Sequence, residues 1–200
     1  MGIEADILGR VANFGFEYEN IRKEFFESFR PDHIKSKRWL VHEILQCTTG
    51  DFKRVAVLGS WNSIVLKELL EDKRNVVHWD FYDKDQSSHR DRDLYHDANG
   101  LPHNYTCIIE DVIKLFAYDD IHLQYDLIIN PSCEHMEDIK TVEGPLYALT
   151  SNNYEGIKGH INTITKHEEL AVKNGINTIE YEGSLKLTNY TRFCTIGRVT

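Results

Sequence analysis

Residues 54–63, RVAVLGSWNS, constrain this chain more than any other stretch. A short apolar run stops at Gly59, and Ser60, Trp61, Asn62 and Ser63 follow it. Ile64, Val65, Leu66, Leu69 and Leu70 then recur at helical spacing. The pattern predicts a buried strand over about 54–58, a tight turn, and an amphipathic helix over about 61–72. A second apolar run, about 75–82, closes on YDKD at 82–85. A strand, turn and helix whose next strand ends in a carboxylate can hold a nucleoside. The turn and helix N-terminus face the ligand, and the carboxylate accepts the ribose hydroxyls.

The rest of the chain supplies the setting. Residues 1–48 read as helical, with Ile7, Leu8, Val11 and Phe14 in a first stripe and Ile21, Phe25, Phe26 and Phe29 in a second. Arg30-Pro31-Asp32 breaks the chain, and Asp32 is placed to cap a third helix carrying Ile34, Trp39, Leu40 and Ile44. Residues 84–100 are strongly polar and read as a surface loop with at most one helical turn. A third strand is expected over about 104–109, then Asp111 and a short segment over 112–117. A fourth runs over 125–130, where Pro131 stops it. A short helix is expected around 143–150, and a longer one over about 165–174, closed by Asn174-Gly175. Two strands, about 176–187 and 190–199, are joined closely enough for a hairpin. Alternating strands and helices imply a mostly parallel sheet with right-handed crossovers, to which the hairpin adds an antiparallel strand.

Composition excludes several classes. Two hundred residues, 41% of them hydrophobic, suit one domain with a full core. No apolar run approaches the length needed to span a bilayer, and the N-terminus lacks the pattern of a secretory signal. Cys47, Cys107, Cys133 and Cys194 are scattered with no CxxC pair, which fits reduced thiols and a cytoplasmic location. A net charge of −9 argues against charge-driven binding to a nucleic-acid backbone. Lys35, Lys37 and Arg38, with Arg30 nearby, form the one compact basic cluster. Ten histidines show no HxH or HExxH spacing, so no metal site is expected.

These strand ends, in this order and with the terminal hairpin, resemble the class I methyltransferases that use S-adenosylmethionine. The likeness covers roughly residues 35–200. It implies an α/β fold: a Rossmann-like, seven-stranded, mostly parallel sheet with an antiparallel C-terminal hairpin and a helical N-terminal segment. Residues 1–48 would form a helical extension or lid, and 49–200 the Rossmann-like methyltransferase domain. The resemblance implies S-adenosylmethionine as cofactor. Gly59, Ser60 and Trp61 would form the turn beside its methionine part, with Asp83 on the ribose and Asp111 and Val112 near the adenine. The family usually carries two or three glycines in this turn, whereas this chain has one, and Trp61 stands where a small residue is common.

The fourth strand of that family ends at the reacting centre. Asn130-Pro131-Ser132-Cys133 resembles the Asn-Pro-Pro-aromatic motif of amino-group methyltransferases, with Ser132 and Cys133 as departures. Glu134 and His135 follow, a carboxylate and an imidazole able to deprotonate a nucleophile. Asn130, Glu134 and His135 are therefore the catalytic candidates. Cys133, Asn152, Asn153, Tyr154 and His160 are the acceptor-binding candidates. The acceptor is expected to be a small polar molecule or an exposed nucleobase. Asp80 lies within its strand and is expected to point to solvent. Two other readings stay open: a non-catalytic nucleoside-binding or assembly module with this fold, and a nicotinamide-dependent oxidoreductase. The latter needs room for a pyrophosphate, and Ser60-Trp61-Asn62 offers little.

Overall fold

The computed structural model describes residues 2–18 and 23–200. One sheet contains β1 (Phe52–Leu58), β2 (Val76–Tyr82), β3 (Tyr105–Ile108), β4 (Leu127–Asn130), β5 (Leu146–Asn152), β6 (Thr178–Lys186) and β7 (Thr191–Arg198). Their order is β3-β2-β1-β4-β5-β7-β6. The pairs from β3 through β5 are parallel, and β7 runs antiparallel to both β5 and β6. The expected sheet and hairpin are borne out. Strand order reverses between β1 and β4, so ligands of such a sheet bind beyond the carboxyl ends there.

Alternation along β1 sorts side chains to two faces. Val55 and Val57 join an apolar cluster with Ile7, Phe14, Leu40, Ile44, Leu66 and Trp79. That cluster takes in α1 (Ile3–Glu17), α2 (Lys23–Glu27), α3 (Pro31–Cys47), α4 (Ile64–Glu71) and α5 (Gln86–Ala98). Residues of 1–48 thus share a core with the sheet; Ile21 lies outside the described residues. Ala56 and Leu58 join a second cluster with Tyr82, Ile128, Phe116 and Leu170, beneath α6 (Val112–Leu115), α7 (Asp119–His122) and α8 (Glu168–Lys173).

Four expectations are corrected. Residues 86–98 are helix α5, not a loop. Asp85 caps it, accepting Ser87 N at 3.0 Å. Its buried residues are Ser88, His89, Asp91, Arg92, Tyr95 and His96, nearly all polar, so no apolar stripe shows. The segment near 143–150 is β5, not a helix. All seven of its residues are buried between β4 and β7, and a strand covered on both faces lacks period-two alternation. Asp32 does not cap α3, which begins at Pro31. Its carboxylate instead accepts Thr188 N and Oγ1, each at 3.1 Å. Asp80 is fully buried rather than solvent-facing, because Arg54 on neighbouring β1 pairs with it at 2.6 Å.

Candidate active site

The turn after β1 is built against its own conformational preference. Gly59, Trp61 and Ser63 have φ of 58°, 47° and 46°. Glycine adopts that region freely; a tryptophan or serine held there is strained. A Cβ on Gly59 would come within 2.7 Å of Met136 Cε, the far end of a flexible side chain, so the positive φ is what selects glycine here. The turn is tied to β2 by Ser60 N to Tyr82 O, 2.9 Å, and by Trp61 N to Asp83 Oδ2, 2.6 Å.

Arg92 from α5 completes the turn. It is 0% exposed, and its guanidinium lies 3.9 Å from the Phe81 ring centroid. Its Nε donates to Asn62 O at 2.6 Å, and Nη2 donates to Trp61 O and, at 3.2 Å, to Ser60 Oγ. A buried arginine therefore satisfies the carbonyls of a turn that has a single glycine. Burial lowers the Arg92 pKa. Sequence reasoning missed Arg92; the signal available was the Asp85 cap and the spacing of residues 88, 92, 95 and 96.

Beyond this turn lies a cavity of about 300 Å³ bordered by Gly59, Trp61, Asp83, Asp111, Val112 and Met136. Asp83 Oδ1 accepts Asp85 N at 2.9 Å. With Trp61 N on Oδ2, two of the carboxylate's roughly four acceptor sites are used, leaving capacity for two hydroxyls. Asp111 caps α6 through Ile113 N, 3.2 Å, and pairs with Lys84 at 3.1 Å. The Lys84 contact holds the Asp111 carboxyl below its ordinary range. These residues fit a nucleoside with a short apolar tail. Ser60, expected on the cofactor, is buried behind the turn and is not on this cavity's wall.

A second cavity, about 520 Å³, is bordered by Arg30, His33, Lys37, Glu134, Tyr154 and Arg192. It shares Trp61, Ser132 and His135 with the first, so the two meet along one wall. Glu134 is 2% exposed. Its Oε1 accepts Arg192 Nη2 at 3.0 Å and Asn152 Nδ2 at 2.7 Å. Arg192 is held in turn by Pro131 O, 2.7 Å, and Thr150 Oγ1, 3.2 Å. Glu134 is thus a paired buried charge, not a free base. Burial lowers the pKa of His135. Burial, then the charge of Lys37, takes His33 down to about 4. Burial and then Arg192 take Lys37 down to about 7, against the pull of Glu134. Among the described residues no carboxylate pairs with Lys37.

Other expected site residues are placed as follows. Tyr154 stacks on Tyr190, centroids 5.7 Å apart, and His160 meets His135 edge-on at 4.5 Å. Asn152 borders the second cavity. Asn130, Cys133 and Asn153 are on neither wall. Asn130 braces the chain after β4, its Oδ1 accepting Ser132 N at 3.1 Å. Cys133 is buried with Sγ directed at Asn130 O, 3.7 Å, and burial raises its pKa. Asn153 Oδ1 accepts Thr191 N at 2.8 Å and ties β5 to β7. The basic cluster divides. Lys35 donates to Lys186 O at 3.1 Å and Arg38 pairs with Glu4 at 3.2 Å, whereas Lys37 turns inward.

No protein-family model matches the chain, and no curated protein sequence does. Solved structures match it. One is a Galdieria sulphuraria protein provisionally named a sarcosine dimethylglycine methyltransferase. Identity is 14%, covering 92% of this chain and 97% of that one, with a TM-score of 0.62. Another is M. capricolum TrmK with S-adenosylhomocysteine bound, at 14% identity and a TM-score of 0.52. That match covers 79% of this chain but 66% of TrmK, just under two thirds of its length. A third is the ribosomal protein L11 methylase of Lactobacillus delbrueckii subsp. bulgaricus, at 12% identity, 84% and 80% coverage, and a TM-score of 0.51. At such identities the likeness is one of fold. The chain has the Rossmann-like fold of the class I S-adenosylmethionine-dependent methyltransferases.

Proposed function

We propose that this protein binds S-adenosylmethionine in the smaller cavity and methylates a small polar acceptor held in the larger one. The observation that carries the reading is the shared wall. Trp61, Ser132 and His135 border both cavities at the point where strand order reverses. A group-transfer site needs two compartments that open onto each other there.

When bound, the cofactor would supply an electrophilic methyl group. Asp83 would hold the ribose hydroxyls, Asp111 the adenine edge, and Gly59 would leave room at the turn. Trp61 limits access by anything as large as a pyrophosphate, which disfavours a dinucleotide. Methyl transfer is an in-line displacement, so most of the rate comes from orientation. Ser132 and His135 flank the passage between the cavities. The lowered pKa of His135 favours its neutral form, which carries a lone pair.

A cavity of about 520 Å³ suits a small molecule. Its wall carries Arg30, Lys37 and Arg192 against Asp32 and Glu134. Arg192 pairs with Glu134 and Arg30 with Glu27, so Lys37 is the cation left to meet an anionic group on the acceptor. The stacked pair Tyr154 and Tyr190 would cover a flat ring, so an exposed nucleobase also fits.

Calorimetric titration with S-adenosylhomocysteine tests the cofactor assignment. Wild type is expected to bind. Asp83→Ala removes hydrogen bonds to a charged acceptor, worth about 1.5–3 kcal/mol, and should weaken binding by about 10- to 100-fold. No binding by folded wild type, or equal affinity in the variant, would overturn it.

A further inference from the structure

Glu134, His135 and His160 each place one potential ligand atom within 4.8 Å of the others. The remainder of each side chain is already committed. Glu134 Oε1 accepts from Arg192 and Asn152, but Oε2 is buried with no hydrogen-bond partner. A carboxylate oxygen in that state is costly unless something positive meets it. His135 Nδ1 lies 3.3 Å from Gly159 O, and His160 Nδ1 lies 2.7 Å from Tyr154 O. A carbonyl can only accept, so in each neutral ring the proton sits on Nδ1 and Nε2 keeps its lone pair. Metal-binding histidines are oriented by this kind of bond to a backbone carbonyl.

We propose that Glu134, His135 and His160 form a binding site for a divalent transition metal, with zinc the favoured ion. Two imidazoles and one carboxylate oxygen make the three-ligand set of an open zinc site, with further positions free. Magnesium and calcium require oxygen donors, and this set offers one. The Arg192 guanidinium 3.0 Å from Oε1 offsets the carboxylate's charge, which weakens hard cations most and leaves imidazole affinity to decide. It also fixes the carboxylate, as partners behind metal ligands do. His135 is exposed and His160 half-buried, so the ion has a route in. Sequence spacing hid the site, because His160 arrives from the loop after β5 and not from a local motif. The site lies in the wall of the larger cavity. Holding an acceptor oxygen on the metal is a consequence that rests on the methyltransferase reading; the metal site itself does not.

The test uses untagged full-length protein, stripped with chelator and titrated with zinc sulfate against a chromophoric competitor. One equivalent of zinc is expected to bind, and cobalt(II) should develop ligand-field absorption. At a hundredfold excess over Kd, the melting midpoint should rise by about 5–10 °C. His160→Ala and His135→Ala should each weaken zinc binding at least tenfold, while His42→Ala, on an exposed face of α3, should leave it unchanged. Magnesium should not compete. Failure of wild type to take up zinc, or equal affinity in His160→Ala, would overturn the site. S-adenosylhomocysteine titration of the same samples separates the two proposals. Zinc uptake without nucleoside binding would leave the metal site standing and remove the methyltransferase reading. Nucleoside binding without zinc uptake would do the reverse.

Discussion

The two cavities share a wall but are finished differently. Around the smaller one, the fold has already anchored the polar groups, with acceptor capacity left on Asp83. Asp83 holds Trp61 and Asp85, Asp111 holds Ile113 and Lys84, and Arg92 holds the turn carbonyls. Around the larger one, groups are left over: an unpaired Glu134 Oε2 and a Lys37 ammonium facing Arg192 with no carboxylate of its own. A site whose polar side chains are held in place by its scaffold is preorganised for a ligand of fixed shape. A site with leftover charge is completed by its ligand. The contrast teaches where specificity resides: in backbone geometry on one side, and in charge on the other.

Arg92→Met should break the smaller cavity most severely. It leaves the Asn62 and Trp61 carbonyls without a donor, at about 1–3 kcal/mol each, so a urea melt should show a loss of about 2–6 kcal/mol. Binding of S-adenosylhomocysteine should vanish with it. A loss below about 1 kcal/mol would mean that the strained turn holds itself, and the contrast would fail on that side.

Arg192→Met tests the other side. It strands Glu134 as a buried, uncompensated charge, and breaking such a pair costs about 3–5 kcal/mol. Adding Glu134→Gln should recover a large part of that loss. Thermal melts of the single and double variants check it. Affinity for S-adenosylhomocysteine should stay within about threefold of wild type, since neither residue borders the smaller cavity. A collapse of nucleoside binding in the double variant would show that the cavities are one energetic unit.

The difference also governs what the sequence discloses. The smaller cavity is written locally: an apolar run ending at Gly59, another ending before Asp83, and Asp111 closing a third. Each residue follows its own strand, so reading along the chain finds it. The larger cavity is assembled from Lys37 on α3, Glu134 after β4, His160 after β5 and Arg192 on β7. The pair Asn152 and Arg192 meet only through the β5–β7 register, which no local pattern encodes. The misread elements fail for a related reason. Helix α5 buries Arg92, His89 and His96, so its inward stripe looks like a solvated one. Strand β5 is covered on both faces, so it loses the alternation that separates strand from helix. Cys133 and Asn153 sit beside true wall residues in sequence, but one points into the core and the other ties two strands.

The smallest effect should come from Lys37, and it has a definite sign. Its folded pKa is about 7, and the ordinary value is 10.5. Between those values the unfolded chain holds a proton that the folded chain lacks, so stability rises with pH across that window. The penalty for burying the ammonium is therefore full below about pH 7 and gone above about pH 10.5. Lys37→Met removes the titration. The variant should be more stable than wild type at pH 6.5 by on the order of 1 kcal/mol, and the difference should close by pH 10. The gain is far below a direct conversion of the shift, because the side chain borders an open cavity whose water screens it. Urea melts of the two proteins from pH 6.5 to 10 follow Lys37, because His33, which burial and then the Lys37 charge hold down to about 4, is neutral across that range in wild type. An anion then sharpens the test. Sulfate or phosphate at pH 6.5 should raise the wild-type midpoint more than that of Lys37→Met, because a negative group in the cavity restores the partner that the fold withholds, over the general salt effect that both proteins share. Equal stability of the two proteins at pH 6.5 would mean that Lys37 is already compensated, and the larger cavity would then be as finished as the smaller.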